Sequence, residues 1–158
     1  MRRKEREVTD KKEIDAIIRS CHVCRLGFAD DGKVYIVPVN FGCVEEDGRY
    51  IFYFHSAKEG RKIELIRRVG RAGFEMDTDY SLKTAESACG YTAYFRSIIG
   101  QGKIEIVEDE TEKRRGLHVL MQHNTGREGW EFQDKMVSAA HVLKLTVEEL
   151  SAKENRKA

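Results

Sequence analysis

Arg49-Tyr50-Ile51-Phe52-Tyr53-Phe54-His55-Ser56-Ala57-Lys58-Glu59-Gly60-Arg61-Lys62-Ile63-Glu64-Leu65-Ile66 passes from an unbroken apolar run through a polar joint into a helical pattern. Tyr50 to Phe54, all aromatic or β-branched, read as a strand. Ser56 and Glu59 stand in the S-x-x-E relation of a capping box, which predicts a helix from Ala57 to about Val69. A strand feeding directly into a basic helix N-terminus offers free N–H groups beside Arg61 and Lys62, a pocket suited to a dianion such as a phosphate group. Lys58 to Arg71 holds six basic and two acidic residues, a local balance of +4.

Outward from this joint the chain reads as strands with a few helices. Upstream, Thr9 and Asp10 can cap a helix over Lys11 to Ser20 that places Ile14, Ile17 and Ile18 on one face. Val23 to Ala29 and Lys33 to Phe41 are β-rich runs joined by Asp30-Asp31-Gly32, and a second pair is divided by Glu45-Glu46-Asp47-Gly48. Asp-Gly is a hairpin signal, and the two turns predict three strands in meander order. Downstream come a short strand over Ala72 to Met76 and a polar loop from Asp77 to Ala88. A long β-run then covers Tyr91 to Val107, with Gly100 and Gly102 marking a bend or bulge. Glu108 to Gln122 reads as a helix, Trp130 to Ser138 as a loop or short helix, and His141 to Val147 as the closing strand. This predicts one domain over residues 1–153 and a frayed tail over 154–158. About six strands with hairpin links favour a closed or nearly closed antiparallel barrel, mainly β with added helices, over a parallel sheet that would need a helix after nearly every strand.

Composition bounds the function. A chain of 158 residues with 41% apolar content can bury one substantial core. Lys and Arg number 28 against 27 Asp and Glu, so no global field draws nucleic acid or anionic lipid, and a nucleic-acid-binding barrel built on Lys58 to Arg71 is the poorest of the readings considered. No apolar run approaches the ~18 residues that cross a bilayer, and Met1-Arg2-Arg3-Lys4-Glu5-Arg6 lacks the apolar core of a secretion signal. A cytoplasmic protein without membrane partners is expected. Cys21-His22-Val23-Cys24 has metal or redox spacing but lacks the second pair a zinc ribbon needs, so it reads as two partly buried small residues; Cys43 and Cys89 read as unpaired, and no metal is expected. His22, His118, His123 and His141 have no companion ligands at recognisable spacing. Neither G-x-G-x-x-G nor G-x-x-x-x-G-K-[ST] occurs, so a phosphate must be held another way.

Three segments together carry a resemblance: Val34-Tyr35-Ile36-Val37-Pro38-Val39-Asn40-Phe41, then Tyr53-Phe54-His55-Ser56-Ala57 with Gly60-Arg61-Lys62, then Tyr94-Phe95-Arg96-Ser97-Ile98-Ile99-Gly100-Gln101-Gly102. In this order and spacing they resemble the FMN-binding split-barrel family related to pyridoxamine 5'-phosphate oxidase, and most closely its nitroimidazole-resistance branch. The resemblance covers nearly the whole chain. It implies a split antiparallel barrel and a homodimer with FMN at the subunit interface. Carried over by position, Arg61 and Lys62 match the basic pair that holds the FMN phosphate, with Ser56 and Ala57 beside them. Val37, Pro38, Val39 and Asn40 match the strand beside the flavin ring, and Arg96 and Ser97 the strand that reaches the cofactor from a subunit face.

The residues leave several roles open. Pro38 has no N–H and interrupts a ladder, which frees neighbouring backbone groups for a flavin edge, yet an ordinary edge strand uses proline in the same way. Arg96, amid Tyr94, Phe95, Ile98 and Ile99, needs a partner that is either a phosphate or a structural carboxylate. His55 at a strand end is the candidate catalytic group, able to donate a proton near neutral pH, or else a structural histidine. Trp130 either covers the ring from the partner subunit or packs within its own. Leu150-Ser151-Ala152-Lys153 departs from the family's usual ending, and the chain lacks the longer C-terminal extension of the true oxidase, so oxidation of pyridoxamine phosphate does not carry over. The expected activity is an FMN-dependent oxidoreductase moving electrons from a nicotinamide or another donor to a small electrophile such as a nitroaromatic. The alternative is a non-enzymatic module of the same fold that holds flavin, deazaflavin or haem.

Overall fold

Two Asp-Gly turns set the two edges of the sheet. In the computed structural model, which describes residues 3–156, β1 (Glu7–Val8) precedes helix α1 (Lys11–Ser20); β2 (Val23–Asp30) and β3 (Lys33–Asn40) then pair across Asp31-Gly32, and β4 (Gly42–Glu46) and β5 (Arg49–Ser56) across Asp47-Gly48. Asp31, Gly32, Asp47 and Gly48 all have positive φ, 48° to 82°, the backbone that tight two-residue hairpins require. The hairpins are not consecutive in space, as meander order requires. The eight-stranded antiparallel sheet runs β3-β2-β6-β7-β8-β5-β4, with β1 beside β8, so the two turns build four strands that lie at opposite ends of the order. Turn chemistry fixes pairing only across the turn. Between the hairpins the chain crosses at Phe41, which is fully buried against Phe52 at 5.5 Å between ring centroids.

Of the three central strands, β7 matches its predicted run to within one residue at each end, and β6 and β8 are longer than their sequence pattern predicts. β6 (Arg71–Lys83) takes up the first half of the expected polar loop, pairing with β7 (Thr92–Ile106) beyond a register shift between Thr78 and Ser81, where Asp79 takes φ 57°. Its polar residues there are exposed, which removed the apolar signal without removing the ladder. β8 (His141–Asn155) continues past Val147 because β7 and β1 supply partners for it; Phe95 pairs with Asn155 and Arg96 with Glu154. Glu154 and Asn155 are therefore ladder residues and not a frayed end, and residues 157–158 lie outside the described residues. The bend expected at Gly100 and Gly102 is present as a register shift between Gln101 and Gly102.

Inside the barrel, Leu26, Phe28, Phe52, Phe54, Phe74, Met76, Ile98, Ile104, Leu143 and Leu145 form one core, joined by Ile17 and Ile18 of α1 and by Ile63, Leu65 and Ile66 of α2 (Arg61–Val69). Each fully buried phenylalanine there contributes roughly 1.5–3 kcal/mol. A second, smaller core lies outside the barrel, where α3 (Glu110–Thr125) places Val119 over Ile51, Tyr53 and Val142. β5 is thus buried on both faces, which is why its sequence is a continuous apolar run and not an alternating one. A short helix, α4 (Asp134–Ala139), leads into β8.

One consequence of this topology positions the site. β4 covers β5 only as far as Tyr53, leaving Phe54 to Ser56 paired on one side, to β8. β3, at the end of the sheet order, approaches β5 across that opening. The outer edge of β3 and the Phe54–Ser56 end of β5 are therefore each left with a strand on one side only, and α2 starts at Arg61, just after the β5 edge.

Candidate functional site

The joint between β5 and α2 differs from its sequence reading in one respect. The helix starts at Arg61, and the expected capping box does not form: Ser56 is the buried last residue of β5, and no side chain caps the helix. Gly60 is the N-cap, at φ 120°, a backbone region that a side chain would strain. Its carbonyl accepts from the N–H groups of Ile63 and Glu64 at 3.0 and 3.2 Å. The N–H groups of Arg61 and Lys62 are those a helix's first turn leaves without an internal partner. An uncapped first turn after a glycine is open to an external anion in a way that a capping box would not be.

Arg61 and Lys62 stand in different environments. The Arg61 guanidinium donates to Asp30, a buried residue at the end of β2, and Arg68 donates to the other oxygen of the same carboxylate. Arg68 also reaches Asp31 at 3.2 Å. The hydrogen bonds from Arg61 and then Arg68 hold the Asp30 carboxyl below the usual carboxylate range. Lys62 is half-buried and has no ion pair among the described residues; burial lowers its pKa. A desolvated ammonium without a carboxylate is costly to keep and gains most from an arriving anion. Asp30 and Arg68 escaped the sequence reading because Asp30 opens a turn and its partners lie far along the chain. The only available signal was the i, i+7 spacing of Arg61 and Arg68, which sets both on one helix face.

His55, paired in register with Val142, is exposed beside this joint, and Ala57 is exposed in the loop that follows. On β3, Val37 and Val39 turn inward against the main core, while Pro38 and Asn40 are exposed on the strand that borders the gap. The Asn40 amide donates to the His22 carbonyl at 3.0 Å. Arg96 and Ser97 lie toward the other end of the barrel, paired with Thr78 and Asp77, roughly 20 Å along β6 from Arg71 at 3.3 Å per residue. The Arg96 guanidinium donates from Nε to Asp79 at 2.6 Å and from Nη2 to the Ser20 hydroxyl at 3.3 Å. A cavity of about 630 Å³ takes in Arg96 with Lys12, Glu13, Phe95 and Arg156. Trp130 is half-buried in the loop after α3; its indole N–H donates to the Arg127 carbonyl at 3.0 Å, and the Arg127 guanidinium lies 5.1 Å from its ring. One protomer thus sets His55, Ser56, Ala57, Arg61 and Lys62 along one joint, between the end of β5 and the start of α2, and holds Arg96 and Ser97 far along the barrel, opposite Thr78 and Asp77.

Three of the four cysteines are poor nucleophiles, and the fourth, Cys89, is exposed in the short 3-10 turn before β7. Cys21 and Cys24 are buried, and burial pushes both thiols up to about 12, as it does for Cys43, so they stay protonated near neutral pH. Their neighbour His123 accepts a structural task, its Nε2 lying 2.8 Å from the Cys21 carbonyl. No described helix is long and apolar enough to cross a membrane.

Comparison with known proteins agrees with this architecture. The family model for pyridoxamine 5'-phosphate oxidase matches residues 10–154. Among solved structures, a candidate 5-nitroimidazole antibiotic resistance protein from Bacteroides thetaiotaomicron is 32% identical, with TM-score 0.80 over 94% of this chain and 86% of that one. A flavocytochrome from Azotobacter vinelandii is 21% identical, with TM-score 0.79 over 99% of this chain and 72% of that one. The FAD and haem binding protein from Mycobacterium smegmatis is 17% identical, with TM-score 0.81 over 96% and 74%. At such identities these last two show the fold alone. A search of curated proteins gives no match. With the matched model spanning almost the whole barrel and the split between β3 and β5 in place, the chain belongs to the pyridoxamine 5'-phosphate oxidase-like split-barrel family, on its nitroimidazole-resistance branch.

Proposed function

We propose that the protein is a homodimeric flavoprotein that binds FMN and reduces a small electrophile, of which a nitroaromatic is the model, with electrons from a nicotinamide donor. The observation that carries this reading is the half-buried, unpaired Lys62 in the uncapped first turn of α2, beside two open strand edges. Lys62 and the N–H groups of Arg61 and Lys62 would hold the phosphate, with Ser56 and Ala57 lining the approach. Arg61, already fixed by Asp30, offers its remaining guanidinium N–H groups in a set direction. The free edge of Val37, Pro38, Val39 and Asn40 presents backbone donors and acceptors to the ring edge. His55, exposed next to this groove, faces the substrate side, where an imidazole can deliver a proton to the reduced product. The bound flavin supplies the electron transfer; the chain binds it, orients it and keeps water from it.

The second subunit follows from what one protomer lacks. Arg96 and Ser97, far along the barrel from α2, would meet this groove from another copy, and Trp130 would cover the ring from that copy in the same way. The sheet surface over β3, β2, β6 and β7 also leaves Val34, Ile36 and Ile99 exposed, at 72%, 62% and 55% of their full surface. Gly27 pairs there with both Ile36 and Gly73, which keeps the surface flat. Apolar residues grouped on a flat face suit a second sheet.

The test is spectroscopic. The purified protein is expected to be yellow or to take up FMN, and its visible flavin band to bleach on anaerobic addition of NADH or NADPH and recover with a nitroaromatic. His55→Ala is expected to keep the flavin and lose most of the turnover. A colourless protein that refuses FMN contradicts the reading. One that binds FMN but accepts electrons from neither nucleotide is a binding module instead.

A further inference from the structure

The cavity of about 630 Å³ at Arg96 lies where the first turns of α1 meet β6, β7 and the end of β8. Its size is that of an ordinary small-molecule site, roughly 300–1,000 Å³. Ala16, Tyr94 and Phe95 give it an apolar wall, and Lys12, Arg96 and Arg156 line it together with Glu13 and Asp79. Arg96 is the fixed part of this lining. Its side chain is only 18% exposed; Asp79 accepts from Nε at 2.6 Å and the Ser20 hydroxyl from Nη2 at 3.3 Å. Nη1 makes no hydrogen bond among the described residues, so the guanidinium is held in one plane with two N–H donors unused. Lys12, exposed in the first turn of α1, has no ion pair among the described residues and stands at the positive end of the helix dipole. Arg156 is shared between Glu13 and Glu154, and Lys153 lies 5.6 Å from the centre of the Phe95 ring. Four cations against three carboxylates leave a local charge of about +1, enough for one negative charge and not for two.

We infer that this cavity binds a small aromatic carboxylate, with the charged group at Arg96 and Lys12 and the ring against Tyr94 and Phe95. A planar guanidinium matches the two oxygens of a carboxylate. The local charge suits a monoanion better than a phosphate dianion, and the aromatic wall suits a ring better than a short aliphatic chain. The subsite goes beyond the flavin reading and stands without it: Arg96 pairs with Thr78, far along β6 from the end that follows α2.

Benzoate is the probe, titrated by calorimetry into flavin-free and into FMN-loaded protein. Benzamide, which lacks the charge, and acetate, which lacks the ring, are the controls. Benzoate is expected to bind tighter than either by roughly tenfold or more in both forms of the protein, with nuclear Overhauser contacts from its ring to Tyr94 and Phe95. Lys12→Glu, at an exposed side chain without an ion pair, is expected to weaken benzoate binding by about tenfold. Arg96→Lys, which keeps the charge and loses the fork, is expected to weaken it at least as much; where that variant fails to fold, Lys12→Glu alone decides. Equal affinity for benzoate and benzamide, or a benzoate affinity untouched by Lys12→Glu, overturns the subsite. Benzoate binding that FMN abolishes makes the cavity part of the flavin site and overturns it as a separate one. A protein that refuses FMN yet binds benzoate here loses the flavin reading alone.

Discussion

Lys62 and Arg61 are adjacent and carry the same charge, yet burial and Asp30 divide their roles, and only coordinates could reveal that. The sequence names both because basic residues after a strand point to an anion. It is silent on Asp30 and Arg68, since a turn aspartate and a helix arginine carry no mark of their meeting. His123 is a similar case. It reads as an unremarkable histidine, but in the fold it is half-buried against Phe41, with ring centroids 4.5 Å apart, and its Nε2–H donates to the Cys21 carbonyl that ends α1. Burial is the largest influence on it and favours the neutral ring, with His22 adding to that and the Cys21 bond opposing it. A histidine with a depressed folded pKa contributes full stability above the unfolded value, about 6.5, and loses it as pH falls and the unfolded chain takes up a proton that the fold refuses. Stability measured by urea unfolding is therefore expected to fall between about pH 7 and pH 5. In His123→Gln, which can keep the donor but cannot titrate, that slope should be shallower; an unchanged slope would show that His123 plays no part in it.

At the scale of elements, local signals were read well and long-range ones poorly. Asp31-Gly32 and Asp47-Gly48 make the expected hairpins, and α1 begins at Asp10, whose carboxylate accepts from the Glu13 N–H at 3.0 Å, as its sequence predicts. The ends of β6 and β8 were missed because their pairing with β7 and β1 does not depend on an apolar pattern in their own residues. The capping box that the sequence predicts fails to form for a different reason. Ser56 is claimed by the sheet, and a residue that pairs with His141 in a ladder is not free to cap a helix. The bulge in β7 was legible because glycine has a physical purpose there. A Cβ on Gly102 would run into the Thr146 carbonyl group, with Val147 Cα only 3.1 Å away. Gly102→Ala is accordingly expected to cost about 1–3 kcal/mol, and more if β8 cannot shift, in chemical denaturation. A change of a few tenths would mean that the two strands are free to separate at this point.

The whole molecule places its open groove, its unpaired ammonium and its flat apolar sheet face on one barrel, and each of these needs something the single chain does not provide. The resemblance visible in three short motifs anticipated the barrel, because those motifs are the strands and joint that build it. It could not show that Arg96 is committed to Asp79 and Ser20, far along the barrel from α2, since sequence order carries no distance. Light scattering on the purified protein is expected to give twice the mass of one chain. A monomer that binds flavin fully would remove Arg96, Ser97 and Trp130 from the site. The account depends above all on a phosphate held at the start of α2, and the most direct test compares FMN with riboflavin, which differs by that phosphate alone. By equilibrium dialysis the wild-type chain is expected to prefer FMN by roughly tenfold or more, as a charge-assisted contact of about 1.5–3 kcal/mol implies, and Lys62→Ala to lose most of that preference. Equal affinity for the two flavins, or an FMN preference untouched by Lys62→Ala, would contradict it.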